Sequence, residues 1–384
     1  MENISLNTEE LIELRHELHK HPEVSNEEKE TARRITEFLG SAEPDELIKD
    51  IGQHGIAAVY NGGKEGPTVM IRCELDALPI EEANDMEYRS VNEGVSHKCG
   101  HDGHMAIVSG LARLLSENRP ASGRVVLLYQ PAEETGEGAR RILDDEKFKS
   151  IEPDYIYALH NLPGFEKNQI IIKDHIFASA SRGLIVKLKG EPSHASHPGY
   201  GRNPALAASQ IIQHLFEIPQ MHMPFHKAAL ITPIHMRVGQ ANFGTSPGEG
   251  EVMVTVRTHS DEDMDAISEK VLKVVNKIAD VHELEVETSW TEEFKAVKNS
   301  EDCMRFIKSI AEEQDFNTCV VEQPFPWSED FGLFTDKYKG ALFGLGSGKD
   351  QPQLHNDDFD FPDEIIETGV VMFRKIIDSI LENE

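Results

Sequence analysis

The chain reads as an α/β protein: a mixed, largely parallel sheet flanked by helices, interrupted by a smaller α+β block. Short unbroken apolar runs at residues 68–72, 125–129 and 155–159 suit strands buried on both faces of such a sheet. Each run leads at once into polar residues: Glu74 and Asp76, then Gln130-Pro131-Ala132-Glu133-Glu134, then His160-Asn161. After about Ser179 the pattern shifts to alternating, half-exposed strands, and near Phe294 the first texture returns. This predicts one discontinuous domain, 1–180 with 293–384, and an inserted one at 181–292, in keeping with a length of 384 residues.

The elements follow in order. Asn7 with Glu10 forms a capping pair ahead of Leu11, Leu14 and Leu18 at helical spacing, and His21-Pro22 stand where that helix stops. Ser25 with Glu28 repeats the capping pattern ahead of Ile35, Phe38 and Leu39. Between the first two strands, residues 105–115 form a helix. In the inserted block, strands at 183–190 and 252–257 alternate with helices at 205–216 and 265–281, predicting a small sheet with helices on one face. A helix at 302–313, a Gly-rich apolar run at 340–346 and a helix at 362–381 complete the chain. In parallel sheets, ligands bind beyond the carboxyl ends of the strands. The polar groups that follow the three runs are therefore expected to meet at one sheet edge.

Composition narrows the function. Lys and Arg number 38 against 68 Asp and Glu, a formal charge of −30, which disfavours nucleic acid and anionic membranes as partners. No apolar run approaches a membrane span. Cys73, Cys99, Cys303 and Cys319 follow no framework spacing and read as reduced thiols of a cytoplasmic protein. Met1-Glu2-Asn3-Ile4-Ser5 has neither the basic start nor the apolar run of a signal peptide.

The chemistry concentrates in His97-Lys98-Cys99-Gly100-His101-Asp102-Gly103-His104. Imidazole, thiolate and carboxylate bind divalent metals such as zinc, and the two glycines allow a sharp turn. The spacing is not that of a zinc finger, so further ligands must come from distant segments. Glu133-Glu134 ends a strand: if one carboxylate binds metal and the other faces away, the second is free to act as a general base. His160, Asp76 and His194 are each ordinary when taken singly. His355 follows the Gly-rich 344–348 loop, which lacks the lysine and serine of a phosphate cradle. Arg257 ends a strand, and its planar fork suits a carboxylate or a surface ion pair.

Together these segments resemble the M20 family of metallopeptidases and amidohydrolases, most closely its aminoacylase branch of hippurate hydrolases, auxin-conjugate hydrolases and N-acetyldiaminopimelate deacetylases. The matching stretches run from Leu14 to Glu23, from Asp76 to Ile80, from Cys99 to His104 and from Gln130 to Glu134, followed by His160-Asn161, His194 and His355. The resemblance implies a centre of two divalent metal ions, Zn²⁺ or Mn²⁺ first and Co²⁺ or Ni²⁺ as alternatives. Its ligands would be Cys99, His101, Glu134, His160 and His355. Glu133 would be the general base, and Asp76 would orient a metal-binding histidine. The inserted block would be a lid and dimerisation domain. From it His194 would serve the active site of the partner in a homodimer, and Arg257 would hold the substrate carboxylate. Asn242 keeps the asparagine of a substrate-contacting segment that otherwise departs from the branch, and Glu74 stands where the branch usually has aspartate. The implied activity is hydrolysis of N-acyl amino acids. A dipeptidase or aminopeptidase of the same fold is the alternative among metalloenzymes. Outside them stand a non-catalytic metal-binding protein and a cysteine hydrolase using Cys99.

Overall fold

The computed structural model describes residues 6–224 and 227–382, so the N-terminal reading of residues 1–5 lies outside the described residues. The chain opens with helices α1 (Thr8–Lys20) and α2 (Lys29–Ser41), then strands β1 (Glu46–Ile51), β2 (Gly55–Asn61) and β3 (Thr68–Glu74). Next come α3 (His101–Glu117), β4 (Arg124–Gln130), α4 (Gly138–Asp144), β5 (Tyr155–Pro163) and β6 (Ile170–Ile172). The middle of the chain forms β7 (Ala180–Lys189), β8 (Ser193–His194), α5 (Ala205–His222), β9 (Ala229–Val238), β10 (Thr245–Ser246), β11 (Glu249–Thr258), α6 (Asp261–Val281) and β12 (Glu285–Phe294). The last elements are α7 (Glu301–Glu313), β13 (Thr318–Val320), α8 (Gly332–Thr335), β14 (Lys339–Gly348) and α9 (Ile366–Leu381).

These elements form two compact units. The first takes the residues up to Phe177, Val297–Gln323 and those from Glu329 on; the second takes Ala178–Ala296 and Pro324–Ser328. In the first unit, eight strands run in the order β1-β2-β4-β3-β5-β14-β6-β13. The centre of the sheet, β4, β3, β5 and β14, is parallel throughout. The antiparallel pairs are β1 with β2, β2 with β4, and β14 with β6. This is the mixed, largely parallel sheet flanked by helices that the apolar runs predict. Every residue of β3 is buried, and only Arg124 of β4 is partly exposed. α1, α3 and α9 pack together beside the sheet, with Leu11, Leu18, Ile107, Leu111, Val370 and Phe373 in one core. Burying each such side chain contributes about 1.5–3 kcal/mol.

Helix starts show where local pattern suffices and where it fails. α1 is capped as expected: Asn7 Oδ1 accepts from Glu10 N at 3.4 Å. α2 is not capped by Ser25. The helix begins only at Lys29, and both residues of the apparent capping pair turn elsewhere. Ser25 Oγ donates to Asp76 Oδ2 at 2.7 Å, and Glu28 Oε1 accepts from Asn26 N and Ala132 N at 2.9 and 2.8 Å. Long-range partners outcompete the local cap because Glu28 and Asp76 are buried and need donors.

A buried charge network ties α1 to the first turn of α3 and the loop ahead of it. Arg15 Nη1 donates to Asp360 Oδ1 at 2.7 Å and to Asp102 Oδ2 at 3.3 Å. His19 meets Asp102 Oδ2 at 2.8 Å through Nδ1 and Glu82 Oε1 at 3.0 Å through Nε2. Lys98 Nζ donates to Glu82 Oε1 at 2.6 Å and to the Phe359 carbonyl at 2.8 Å.

In the second unit, β12-β7-β11-β9 form an antiparallel sheet. Leu184, Val186 and Leu188 of β7 and Val252, Val254 and Val256 of β11 are buried at alternate positions, as strand geometry requires for one covered face. α6 buries Met264, Ile267, Val271 and Val275, and its Ser260 Oγ accepts from Asp263 N at 3.2 Å. The segment Pro324–Ser328 belongs here because Ser179 N donates to the Phe325 and Trp327 carbonyls at 3.1 and 3.0 Å. No helix among the described residues is long and apolar enough to cross a membrane.

The His19 network makes stability depend on pH. Burial works against a charged ring, but Asp102 and the bond to Glu82 carry His19 up from 6.5 to about 9. A raised pKa gives stabilisation that is complete below about pH 6.5 and is lost as pH rises through about 9, on the order of 3 kcal/mol. The unfolding midpoint of the native chain should therefore fall more steeply over that window than that of His19→Gln. Parallel profiles would show that this charge does not stabilise the fold.

Candidate metal centre

The site is built from loops that leave the carboxyl ends of β3, β4 and β5. β3 ends in Glu74, and Asp76 follows it. Beyond β4, Ala132 takes a left-handed backbone (φ 50°) that turns the chain into Glu133 and Glu134. An alanine held there is strained, and the Glu28 carboxylate on its N–H fixes it. β5 carries His160 and Asn161. His355 is also left-handed (φ 66°), and its N–H donates to the Lys98 carbonyl at 2.8 Å. Gly100 (φ 92°) precedes α3; a Cβ there would stand 2.5 Å from Asn161 Oδ1, so only glycine fits between Cys99 and His101.

These loops bring all five sequence-predicted ligands together. Cys99, His101 and His160 form one trio, and Cys99, Glu134 and His355 another. Ligand atoms within each trio lie within 4.8 Å of one another, a span that a cation with bonds of about 2.0–2.3 Å bridges. Cys99 Sγ is 3.5 Å from His160 Nε2, and Glu134 Oε1 is 3.9 Å from His101 Nε2 and 3.7 Å from His355 Nε2. His101 Nδ1 donates to the Asp76 carbonyl at 2.8 Å, and His160 Nδ1 donates to the Asn161 carbonyl at 2.9 Å. A carbonyl only accepts, so both rings carry their fixed proton on Nδ1 and turn Nε2 toward the trio. Histidine metal ligands are oriented in this way. Asp76 also accepts from Glu134 N at 3.0 Å, joining the two ligand loops. His101 Nε2 and Glu134 Oε1 are buried with no hydrogen-bond partner among the described residues, so each trio has an open ligand atom.

The charge balance fits as well. Burial, then Glu134, Glu133 and Glu329, pushes the Cys99 thiol well up. Burial, then Glu329, Glu134 and Asp330, pushes Glu133 well up against the pull of Arg72. Glu134 rises to about 7, burial outweighing the charge of His101. Burial opposes a charged His101, yet its bond to Asp76 and the charges of Glu74, Asp76 and Glu134 carry it up to about 10. Buried acids that hold protons for want of counter-charge bind cations in exchange for those protons.

Several partners were not legible. Arg72, buried mid-strand, pairs with Glu74, with Glu329 at 2.9 Å and with Asp330 at 2.7 Å. Asp330 N donates to Glu133 Oε1 at 3.3 Å. Glu133, Glu329 and Asp330 form a buried acidic group beside the trios. A buried arginine in an apolar run was the available signal for Arg72. Glu329 and Asp330 had none, being an acidic pair in an irregular stretch. Two histidines of the 97–104 run stay outside the two Cys99 trios, although His104 groups with Glu74 and His101. His104 lies between Glu74 Oε2 (2.7 Å) and Asn161 Oδ1 (2.6 Å), and His97 is buried with neither ring nitrogen partnered among the described residues.

The remaining candidates lie in the second unit. His194 is exposed on β8, which pairs with β10. Asn242 Oδ1 accepts from Gly244 N at 2.8 Å. Arg257 is half-buried, and its Nη1 donates to Ser328 Oγ at 2.9 Å and the Pro326 carbonyl at 3.2 Å.

Thiol, imidazole and carboxylate groups gathered at the strand ends of the first unit's sheet fit a metal centre in an α/β protein. The family model for peptidase family M20/M25/M40 matches residues 70–379. N-acetylcysteine deacetylase of Bacillus subtilis (strain 168) is 30% identical over 374 residues, 97% of each chain. Hippurate hydrolase of Campylobacter jejuni is 27% identical over 96% of this chain and 95% of its own. The crystal structure of the Bacillus subtilis YXEP protein, described as a dinuclear metal binding peptidase from the M20 family, superposes with a TM-score of 0.83 at 27% identity, over 98% of this chain and 99% of that one. The chain belongs to peptidase family M20/M25/M40.

Metal binding should release protons. Affinity measured by calorimetry should rise from about pH 6 to about pH 8, as Glu134 loses its proton without competition, with heats that depend on the buffer. A pH-independent affinity with no proton release would contradict this charge balance.

Proposed function

We propose that the protein hydrolyses the amide bond of N-acyl amino acids at a centre of two divalent cations. The observation that carries this reading is the sharing of Cys99 between two ligand trios, with the Glu133 carboxylate beside them. The deacetylase and hippurate hydrolase relatives supply the substrate class. Cys99, His101, His160, Glu134 and His355 would hold the ions. The ions would polarise the scissile carbonyl and make water more acidic, and the thiolate among their ligands favours zinc, with manganese the next choice.

The chain's own groups then divide the work. Glu133, held by the Asp330 N–H and flanked by Glu329, takes a proton from the attacking water and delivers it to the leaving amine. Asp76 fixes the His101 ring through its carbonyl. In the second unit, Arg257 has Nη1 anchored by Ser328 and Pro326. Its Nε and Nη2 carry no protein hydrogen bond among the described residues and suit the carboxylate of the amino acid. Asn242 uses Oδ1 within its own loop and keeps its amide N–H groups for substrate. His194 donates to the oxygen of the tetrahedral intermediate, at the centre of a partner subunit. β9, at the edge of its sheet, exposes Leu230, Ile234 and Met236. Such an edge suits pairing with a second copy of this chain, and we place the dimer contact there. The four cysteines are unpaired, in keeping with a cytoplasmic setting.

Chelation should abolish turnover, and Zn²⁺, Mn²⁺ or Co²⁺ should restore it; turnover by metal-free protein would refute the mechanism. Glu133→Ala should keep both ions yet lose roughly 10³-fold in kcat, and near-normal kcat would remove Glu133 from its role. Glu133→Ala and His194→Ala chains, each inactive alone, should regain activity as verified heterodimers; failure to complement would place both residues at one subunit's site. A panel of acetyl-, benzoyl- and indoleacetyl-amino acids beside dipeptides decides the acyl group, and preference for free dipeptides would overturn the substrate class.

A further inference from the structure

We infer that Ser196 and His197 fix the tautomer of His194, so that its outward nitrogen carries the proton; this rests on the reading of His194 as a donor to the oxyanion. The argument starts from a bond whose direction is certain. The backbone N–H of Ser196 lies 3.1 Å from His194 Nδ1. An amide N–H can only donate, so Nδ1 must offer its lone pair, and the neutral ring holds its proton on Nε2.

The Ser196 hydroxyl extends the chain of bonds. Its Oγ is 2.7 Å from His194 Nδ1 and 2.8 Å from His197 Nδ1. Since His194 Nδ1 is an acceptor, the hydroxyl donates to it and must itself receive a proton from His197 Nδ1. One directed relay results: His197 Nδ1–H to Ser196 Oγ, Ser196 Oγ–H to His194 Nδ1, and a free Nε2–H on His194. Two backbone bonds frame it. His197 N donates to the His194 carbonyl at 2.8 Å, closing the turn, and Ala195 N donates to the Gly244 carbonyl at 3.1 Å. The His197 ring stacks on Tyr200, 5.7 Å between centroids and 4° from parallel.

The arrangement is the reverse of that at the metal ligands. His101 and His160 give Nδ1–H to backbone carbonyls and present Nε2 to a cation. His194 receives a backbone N–H at Nδ1 and presents a donor, which is what a developing negative oxygen requires. The turn thus makes Ser196 and His197 positioning residues that act through His194.

Long-range ¹⁵N–¹H spectra of histidine-labelled, metal-loaded protein in mildly alkaline buffer test this, with His194→Ala and His197→Phe giving the assignments. The expected pattern is a proton on Nε2 of His194 and on Nδ1 of His197 in the same molecule. In Ser196→Ala, His197 should lose its Nδ1–H preference, and Ser196→Thr should restore it. Ser196→Ala and His197→Phe should each lower kcat about three- to tenfold, the worth of one hydrogen bond, with KM little changed. A proton on Nδ1 of His194, or on Nε2 of His197 in the native chain, would overturn the relay, as would unchanged kcat in both variants. The parent reading fails separately: His194→Ala with native kcat would remove the donor role whatever the spectra of the native rings show.

Discussion

The carboxyl ends of the central strands hold more buried negative charge than the chain neutralises. Glu74, Asp76, Glu133, Glu329 and Asp330 are buried there with Glu134 and the Cys99 thiol close by. Arg72 pairs with Glu74, Glu329 and Asp330 but brings one charge to the three, and burial still pushes Glu329 and Asp330 up; His101 is shared by Asp76 and Glu134. An uncompensated buried carboxylate costs several kcal/mol, so such a group either keeps its proton or acquires a counter-ion. Cys99, Glu133 and Glu134 are all pushed toward the protonated form. Two cations would reverse that push for Cys99 and Glu134 by direct contact. Glu133, in neither Cys99 trio, would lose part of its opposition while keeping a proton affinity useful to a base.

Around this charge the loops are over-determined. Asp76 receives Ser25 Oγ, His101 Nδ1 and Glu134 N on one residue, so the ligand loops after β4 and at the start of α3 move together. Ala132 and His355 hold left-handed backbones under hydrogen bonds from distant segments. Their strained backbones fix the turns that carry Glu133, Glu134 and His355. In the second unit the turn at His194 is held by local bonds and by its pairing with the 244–246 segment, and its side chains are exposed.

Much of this was legible because the central strands advertise themselves. Unbroken apolar runs at 68–72, 125–129 and 155–159 ended in the residues that now face one another, and parallel topology alone implies their convergence. The five candidate ligands stand in motifs whose order is that of a known family. Other parts left weaker traces. β9 is exposed along most of its length and contains Pro233, so it shows neither an apolar run nor clean alternation. β12 is mostly polar and has no fully buried residue, so it too lacks an apolar run. Glu329 and Asp330 were hidden among 68 acidic residues, since only the fold sets them beside Arg72. Ser25 and Glu28 misled because a capping pattern is local, whereas their partners lie on Asp76 and Ala132.

The central claim is that two cations share Cys99 between separate ligand trios. Anomalous diffraction from crystals grown with Zn²⁺ or Mn²⁺, recorded on either side of the metal edge, tests it most directly. Two peaks should appear per chain, one among Cys99, His101 and His160 and one among Cys99, Glu134 and His355. A single peak away from Cys99, or none at full metal loading, would contradict the account.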